Sequence, residues 1–252
     1  MPHKHYEDTS LKEKAIGKAR QYEALLCARS LHQLPEGFKA LSLCFDDFPQ
    51  SAADCGAALL EDAGVRGTFY TCFGMLGTNG YAKPEDVIRL HKRGHEIACH
   101  THSHINPSFN DMQAVQTSCK ENIDAARLLN ISLSQFCYPQ GGITLEAKRM
   151  AAAFYSSSRS GFWGINGTTF DAHCLKSVPL YEGHMLRVND FMKQLRKENG
   201  WLILYTHDVS DTPSEHGIST RSLKHIIETC QQHNIPVCTV RDVMKQATRK
   251  PA

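Results

Sequence analysis

The chain has 252 residues, 41% hydrophobic and 21% charged, with 17 Gly and 10 Pro, which excludes disordered, collagen-like and coiled-coil classes and leaves room for one large or two small domains. Its 28 Lys and Arg against 26 Asp and Glu give a net charge of +2. No basic run argues for a nucleic acid or a membrane surface as partner. The 14 His and 10 Cys stand out.

Met1 to Lys14 is charged and lacks the apolar stretch of a signal peptide, and no apolar run reaches the length of a membrane span. No two cysteines are spaced as CxxC, and Cys44 and Cys137 sit in apolar runs where a free thiol behaves as a small hydrophobe. A reducing, cytoplasmic location is the expectation.

Residues 9 to 32 read as a helix, with Thr9 or Ser10 as cap, Glu13 three residues after Ser10, and an apolar face of Leu11, Ile16, Tyr22, Leu25 and Leu26. After Pro35-Glu36-Gly37, β-like runs alternate with helix-like ones. The β runs are Ala40 to Phe45, Gly67 to Thr71, Glu96 to Cys99, Gln135 to Tyr138, Phe154 to Ser157, Leu175 to Pro179, Trp201 to Thr206 and Pro236 to Thr239. Helices are expected near 51 to 63, 84 to 93, 111 to 130, 144 to 152, 189 to 199 and 218 to 233. This alternation predicts an α/β fold with a parallel sheet, best a barrel of seven or eight β/α units; an open doubly wound sheet competes. We expect a helical arm over 1 to 36, a single barrel domain over 37 to 245 and a tail over 246 to 252. Gly74, Gly77 and Gly80 do not make a dinucleotide-binding fingerprint.

Polar residues concentrate where predicted strands end, the face on which parallel barrels build active sites. Asp46 and Asp47 close an apolar strand, and burying two carboxylates demands a cation or donors, although a helix cap is the plain alternative. On an extended backbone they diverge, so a bend is needed for one to bind a metal while the other faces substrate. His100-Thr101-His102-Ser103-His104 follows the third strand. His100 and His104 converge in a helical turn, whereas all three share a face if extended, so spacing leaves the pair open. Two His and one carboxylate form a catalytic rather than a structural metal set, because positions stay open.

Phe45-Asp46-Asp47, Gly94-His95-Glu96-Ile97 leading into His100 to His104, Tyr138-Pro139-Gln140-Gly141 and Leu204-Tyr205-Thr206-His207-Asp208 resemble, in order, the motifs of the polysaccharide deacetylases, the NodB-homology or carbohydrate esterase family 4 group. The resemblance spans residues 40 to about 240. It implies a distorted (β/α) barrel of seven or eight units and removal of acetyl groups from sugars with one divalent metal, zinc first, with cobalt, nickel or manganese as alternatives. It further implies Asp46 as general base, Asp47, His100 and His104 as metal ligands, and His207 as general acid. Gln140, after Pro139, would offer its main-chain N–H to the oxyanion, and Leu204 and Tyr205 would receive the acetyl methyl group.

The sequence departs from the family pattern in four places. Phe48 stands where a Gly usually follows the double Asp, and is expected to narrow the mouth of the site. The Arg of the third motif and the acidic motif that orients it are both missing. Arg159, in Ser158-Arg159-Ser160-Gly161, is the candidate replacement that would hold Asp46, against the alternative of a surface Arg in a polar turn. His207 lacks an evident acidic partner; Asp171 is the guess, and Asp208 is expected to point away. Of the other histidines, His3 and His5 lie at the terminus, and His91 and His95 read as caps or solvent contacts. His173, His184 and His216 read as loop residues near the active face, the last two as possible substrate contacts. Trp201 reads as core and Trp163 as a sugar-stacking platform.

The resulting expectation is a metal-dependent, cytoplasmic deacetylase acting on an N-acetylated sugar, within a pathway such as lipopolysaccharide or O-antigen assembly. The rivals are a same-fold hydrolase of a small amide or formamide and a glycan-binding protein whose site has decayed.

Overall fold

A computed structural model describes residues 11–250. His3, His5 and the Thr9/Ser10 cap lie outside the described residues, as does the side chain of Glu13. The chain opens with α1 (Leu11–Leu26) and β1 (Leu31–Gln33). There follow β2 (Lys39–Asp47), α2 (Ala57–Asp62), β3 (Thr68–Thr71), α3 (Pro84–Lys92), β4 (Glu96–Cys99), α4 (Met112–Leu128), β5 (Gln135–Cys137), α5 (Leu145–Phe154) and β6 (Ser157–Arg159). The last third supplies β7 (Thr169–Asp171), β8 (Val178–Pro179), α6 (Met185–Lys197), β9 (Gly200–Thr206), α7 (Thr220–Gln232), α8 (Val240–Gln246) and β10 (Thr248–Arg249).

Seven parallel strands run in the order β6-β5-β4-β3-β2-β9-β8, the curled sheet of a distorted (β/α) barrel, as the strand–helix alternation predicts. Beyond β6, Leu175 makes a parallel bridge to Arg159, drawing the chain that leads into β8 toward the opposite edge. A separate antiparallel sheet, β10-β1-β7, joins both ends of the chain to the barrel.

Strand alternation divides the interior into two layers. On β2, Leu41, Leu43 and Phe45 belong to the large core shared with the helices, while Ala40 and Cys44 face an inner core with Tyr70, Ala98, Cys137, Trp201 and Ile203. Ser42 takes the inner parity and accepts a hydrogen bond from Trp201 Nε1 at 2.9 Å. Parity therefore sends Asp46, the next inner position, into the lumen.

Four expected elements shift. The helix expected over 9 to 32 ends at Leu26; Ala28 is left-handed at φ 47°, and residues 31–33 pair with β7 and β10 instead. The strand expected over Phe154 to Ser157 begins at Ser157, because α5 runs through Phe154 and the next ring, Tyr155, stacks on Phe136 at 5.0 Å. Leu175 to Pro179 shortens to β8. Pro236 to Thr239 makes only one bridge, Leu41 to Val237, since Thr239 caps α8 through its side chain.

Candidate metal centre and active site

Asp46, Asp47, His100, His104, Gln140, Arg159, Tyr205 and His207 line one cavity of about 610 Å³ at the C-terminal ends of the strands. Two consecutive left-handed residues, Asp47 at φ 63° and Phe48 at φ 65°, provide the bend that separates the two carboxylates. Asp46 stays in the lumen and Asp47 swings toward the next strand ends. Thr101, His104 and Gln140 are left-handed as well, at φ 61°, 53° and 53°. Such a cluster of costly backbone conformations is characteristic of functional sites.

The turn after β4 resolves the histidine triplet. His100 Nε2 and His104 Nε2 lie 3.4 and 3.2 Å from Asp47 Oδ1, while His102 faces Glu121 outside, with Nδ1 3.9 Å from Oε2. The Nδ1–H of His100 donates to the Cys137 carbonyl at 2.9 Å, which turns the unprotonated Nε2 toward Asp47. The ligand atoms of Asp47, His100 and His104 all lie within 4.8 Å of one another. Asp47 Oδ1 is buried with no hydrogen-bond donor, and an orphaned carboxylate oxygen between two imidazoles fits a cation. Burial pushes Asp47 up to about 6 and His100 down to about 3. A divalent cation would restore the ionised carboxylate.

Asp46, His100 and Cys137 form a second compact set. It fits a cation poorly, because Arg159 already pairs with Asp46 and lies 2.8 Å from Cys137 Sγ, and burial pushes that thiol well up.

Arg159 is 2% exposed, which excludes the surface alternative. Its guanidinium donates to Asp46 Oδ2, and to Ser177 Oγ at 3.1 Å, and stacks over the Tyr205 ring at 4.2 Å. Burial alone would raise Asp46, but the charge of Arg159, aided by His100 and His207, outweighs it and holds the carboxyl below its ordinary value. Asp46 Oδ1 remains without a donor.

His207 Nδ1 faces the His216 carbonyl at 3.3 Å, and Nε2 lies 3.8 Å from Asp47 Oδ2. Asp171 does not serve His207: it pairs with Lys148 at 2.6 Å. Asp208 turns to the Ser214 amide at 2.9 Å. Gln140 sits in the loop after β5, its side chain accepting from Asn106 Nδ2 at 3.0 Å. Asn106 went unnoticed in the sequence, yet it pins this loop: a Cβ on Gly142 would fall 1.9 Å from its Oδ1.

Several expectations need correction. Leu204 is fully buried in the outer core and does not line the cavity, because adjacent strand residues face opposite sides; Tyr205 alone does. Pro139 is buried beside the cavity without lining it. Phe48 does not narrow the mouth; it is buried with its ring 5.0 Å from that of Phe69. His95 is buried, accepting at Nδ1 from the Gly67 N–H at 3.1 Å and facing Glu61 through Nε2 at 3.2 Å. His173 is also buried, 3.1 Å from Ser158 Oγ. His216 lines the cavity; His184 stands behind it, stacked on Tyr181 at 5.4 Å and 5.6 Å from Trp163. Arg187 covers the Trp163 ring at 5.0 Å, so one face of that platform is taken. Tyr181, a cavity residue the sequence did not single out, packs 5.9 Å from His207 and 5.8 Å from Tyr205.

With this geometry in view, comparisons with known proteins are specific about fold. The Xyl-CE4 domain of a multidomain xylanase from the hindgut metagenome of Trinervitermes trinervoides is similar with TM-score 0.62 and 19% identity, over 83% of this chain and 91% of that one. A family 4 carbohydrate esterase from Bacillus anthracis gives 0.63 and 13%, over 89% and 91%. The peptidoglycan deacetylase PdaC from Bacillus subtilis gives 0.59 and 18%, over 84% and 93%. No curated protein matches in sequence. Residues 34–155, which hold both aspartates and the histidine turn, match the polysaccharide deacetylase family model, and the chain as a whole has the fold of the family 4 carbohydrate esterases.

Proposed function

We propose that the protein is a metal-dependent hydrolase that removes the acetyl group from an N-acetylated sugar. The observation that carries this reading is a donor set, Asp47 with His100 and His104, beside a separate carboxylate, Asp46, that is kept ionised by Arg159 inside the same cavity. A bound divalent cation, zinc first and cobalt, nickel or manganese as alternatives, supplies Lewis acidity at the acyl oxygen and lowers the pKa of a water. Asp46 Oδ1, the oxygen left without a donor, takes a proton from the attacking water. The Gln140 main-chain N–H stabilises the tetrahedral oxyanion. The acetyl methyl group lies against Tyr205, and Leu204 supports that strand from behind. His207, with Nδ1 held at the His216 carbonyl, presents Nε2 to protonate the leaving nitrogen as the C–N bond breaks, which releases acetate and a free amine.

The base-holding role of Arg159 replaces the arginine absent from the third motif, so the departures from the family pattern relocate that function. We infer one catalytic domain over 37 to 245, with the helical segment before it and the tail after it as additions. All ten cysteines are free, seven of them buried. That supports a reducing cytoplasm and, with it, a precursor in lipopolysaccharide, O-antigen or similar surface-glycan assembly as substrate. No described helix is long and apolar enough to cross a membrane.

Metal content and acetate release test the reading together. The purified protein should retain about one zinc or similar ion and release acetate from an N-acetylated sugar, and the double variant His100→Ala, His104→Ala should lose both. Full metal retention in that variant would remove the triad. Formate or ammonia from small amides, without acetate from sugars, would favour the small-amide rival, and sugar binding without turnover would favour the binding protein.

A further inference from the structure

The apolar residues that the sequence assigns to one face of α1 do not all turn inward. The side of α1 against the barrel is made of small or polar positions. Gly17 and Ala24 are buried, a Cβ on Gly17 would lie 3.4 Å from the Phe109 ring, and Gln21 Nε2 donates to the Gly141 carbonyl at 3.3 Å. Lys148 Nζ donates to the carbonyls of Ala24 and Cys27 at 2.6 and 2.8 Å and fixes the end of the helix. Ile16, Tyr22 and Leu26 point away from the barrel, 44%, 60% and 73% exposed. The other large apolar side chains that the described residues leave exposed, Leu128, Trp163 and Leu186, stand singly at separate places in the fold. Single exposed residues need no partner, whereas a continuous apolar face on an anchored helix marks an interaction surface.

The face has the geometry of a seam between helices. Ala15, Ala19, Tyr22 and Leu26, all exposed, follow one another at intervals of four, three and four residues, which sets them in one line along α1 with Ile16 at its edge. The two alanines let a second helix approach closely, and Tyr22 and Leu26 supply apolar area. Lys18 and Glu23, both exposed, flank the line on opposite sides, five residues apart. That is the spacing at which the flanking residues of two helices meet when the helices run parallel and in register. Lys18 of each copy then faces Glu23 of the other, two opposite-charge pairs related by the twofold axis. Antiparallel pairing would instead set Lys18 beside Lys18 and Glu23 beside Glu23. The charges of α1 therefore complement a second copy of the chain in one orientation. An anionic membrane fits less well, because Glu23 borders the apolar line between Tyr22 and Leu26.

We propose that two copies of the chain associate as a parallel dimer along the outer face of α1, with Tyr22 and Leu26 in the seam and Lys18 paired with Glu23 across it. The inner face of α1 keeps its contacts with the barrel, so association requires no change in the fold. A seam of this length makes a small interface, and the dimer is concentration-dependent. Sedimentation velocity on the full chain from about 1 to about 100 µM should show the mass rising from one chain toward two. The double variant Tyr22→Glu, Leu26→Glu should stay monomeric throughout, with an unchanged far-UV circular dichroism spectrum. Lys18→Glu or Glu23→Lys alone should weaken the dimer about tenfold, and the two together should restore it, a recovery that a misfolded variant does not give. A monomer at every concentration overturns the proposal, as does a dimer that survives the two glutamates or ignores the single charge reversals. A monomer that sediments with phosphatidylglycerol vesicles assigns the face to a membrane and likewise rejects the dimer.

Discussion

Two buried ion pairs in this molecule make an instructive contrast. Where α1, α5 and β7 meet, Lys148 donates to Asp171 and to two helix-end carbonyls, and Asp171 also accepts from the main-chain N–H groups of Ser30 and His173 at 3.1 and 3.2 Å. In the cavity at the strand ends Arg159 pairs with Asp46, but Asp46 Oδ1 and Arg159 Nε have no partner. The saturated pair fastens chain segments; the unsaturated one leaves open the carboxylate oxygen proposed to take the proton. Burial is equal in kind, and completeness of hydrogen bonding separates structure from chemistry.

That contrast is open to attack by mutation. Asp46→Asn should lower kcat by about 10² to 10⁴, the range of general acid–base catalysis, with metal content unchanged. Asp171→Ala should do the reverse: it strands Lys148 and should cost about 3–5 kcal/mol of stability, roughly 10 °C in melting temperature for a chain of this size, with kcat within a few-fold. A thermal melt and a rate assay on both variants check this, and activity loss without unfolding in Asp171→Ala would erase the distinction.

Arg159→Lys sharpens the comparison at the second partner. Lysine keeps the charge but not the fork that reaches Asp46 and Ser177 together, so kcat should fall about 10- to 100-fold with KM little changed. Phe48→Gly probes the bend. Relief of a left-handed phenylalanine returns about 1–2 kcal/mol, whereas the lost ring packing against Phe69 costs about 3–5 kcal/mol, so the variant should be less stable by about 2–3 kcal/mol in denaturant titration.

The smallest effect concerns pH. Burial lowers His95 and His173 from 6.5 to about 4, so the unfolded chain takes up their protons first. Their contribution to stability is complete above about 6.5 and is lost as pH falls toward 4. Glu96, raised by burial from 4.5 to about 7, acts in the opposite sense over the overlapping range. His95→Gln should therefore lose less melting temperature between pH 7 and pH 5 than the unaltered protein.

The barrel and the clustering of chemistry at strand ends were legible because each main strand carries apolar residues on both faces and ends in polar ones. Arg159 was legible as the candidate holder of Asp46, but its burial was not, since the short β6 starts only where α5 stops and its register decides whether the side chain enters the lumen or stays on the surface. The pairing of Leu204 with Tyr205 as joint pocket residues ignored period-two alternation, which the sequence already contained. The β10-β1-β7 sheet had no local signal: its strands are two or three residues long, and Leu31 finds Asp171 across the chain. Tyr181 and Asn106 sit in loops without periodicity, and only tertiary folding brings them to the site.

The central position of β2 has a consequence for synthesis. β2 lies between β3, which follows it closely, and β9, where Lys39 to Phe45 pair in register with Gly200 to Thr206. On a growing chain the donors Asp47, His100 and His104 have all emerged well before Arg159 and His207. Closing the β2–β9 ladder requires the longest loop in the sheet, which makes it a late event. The order of translation thus delivers the three proposed metal donors before the groups proposed to hold the base and supply the proton.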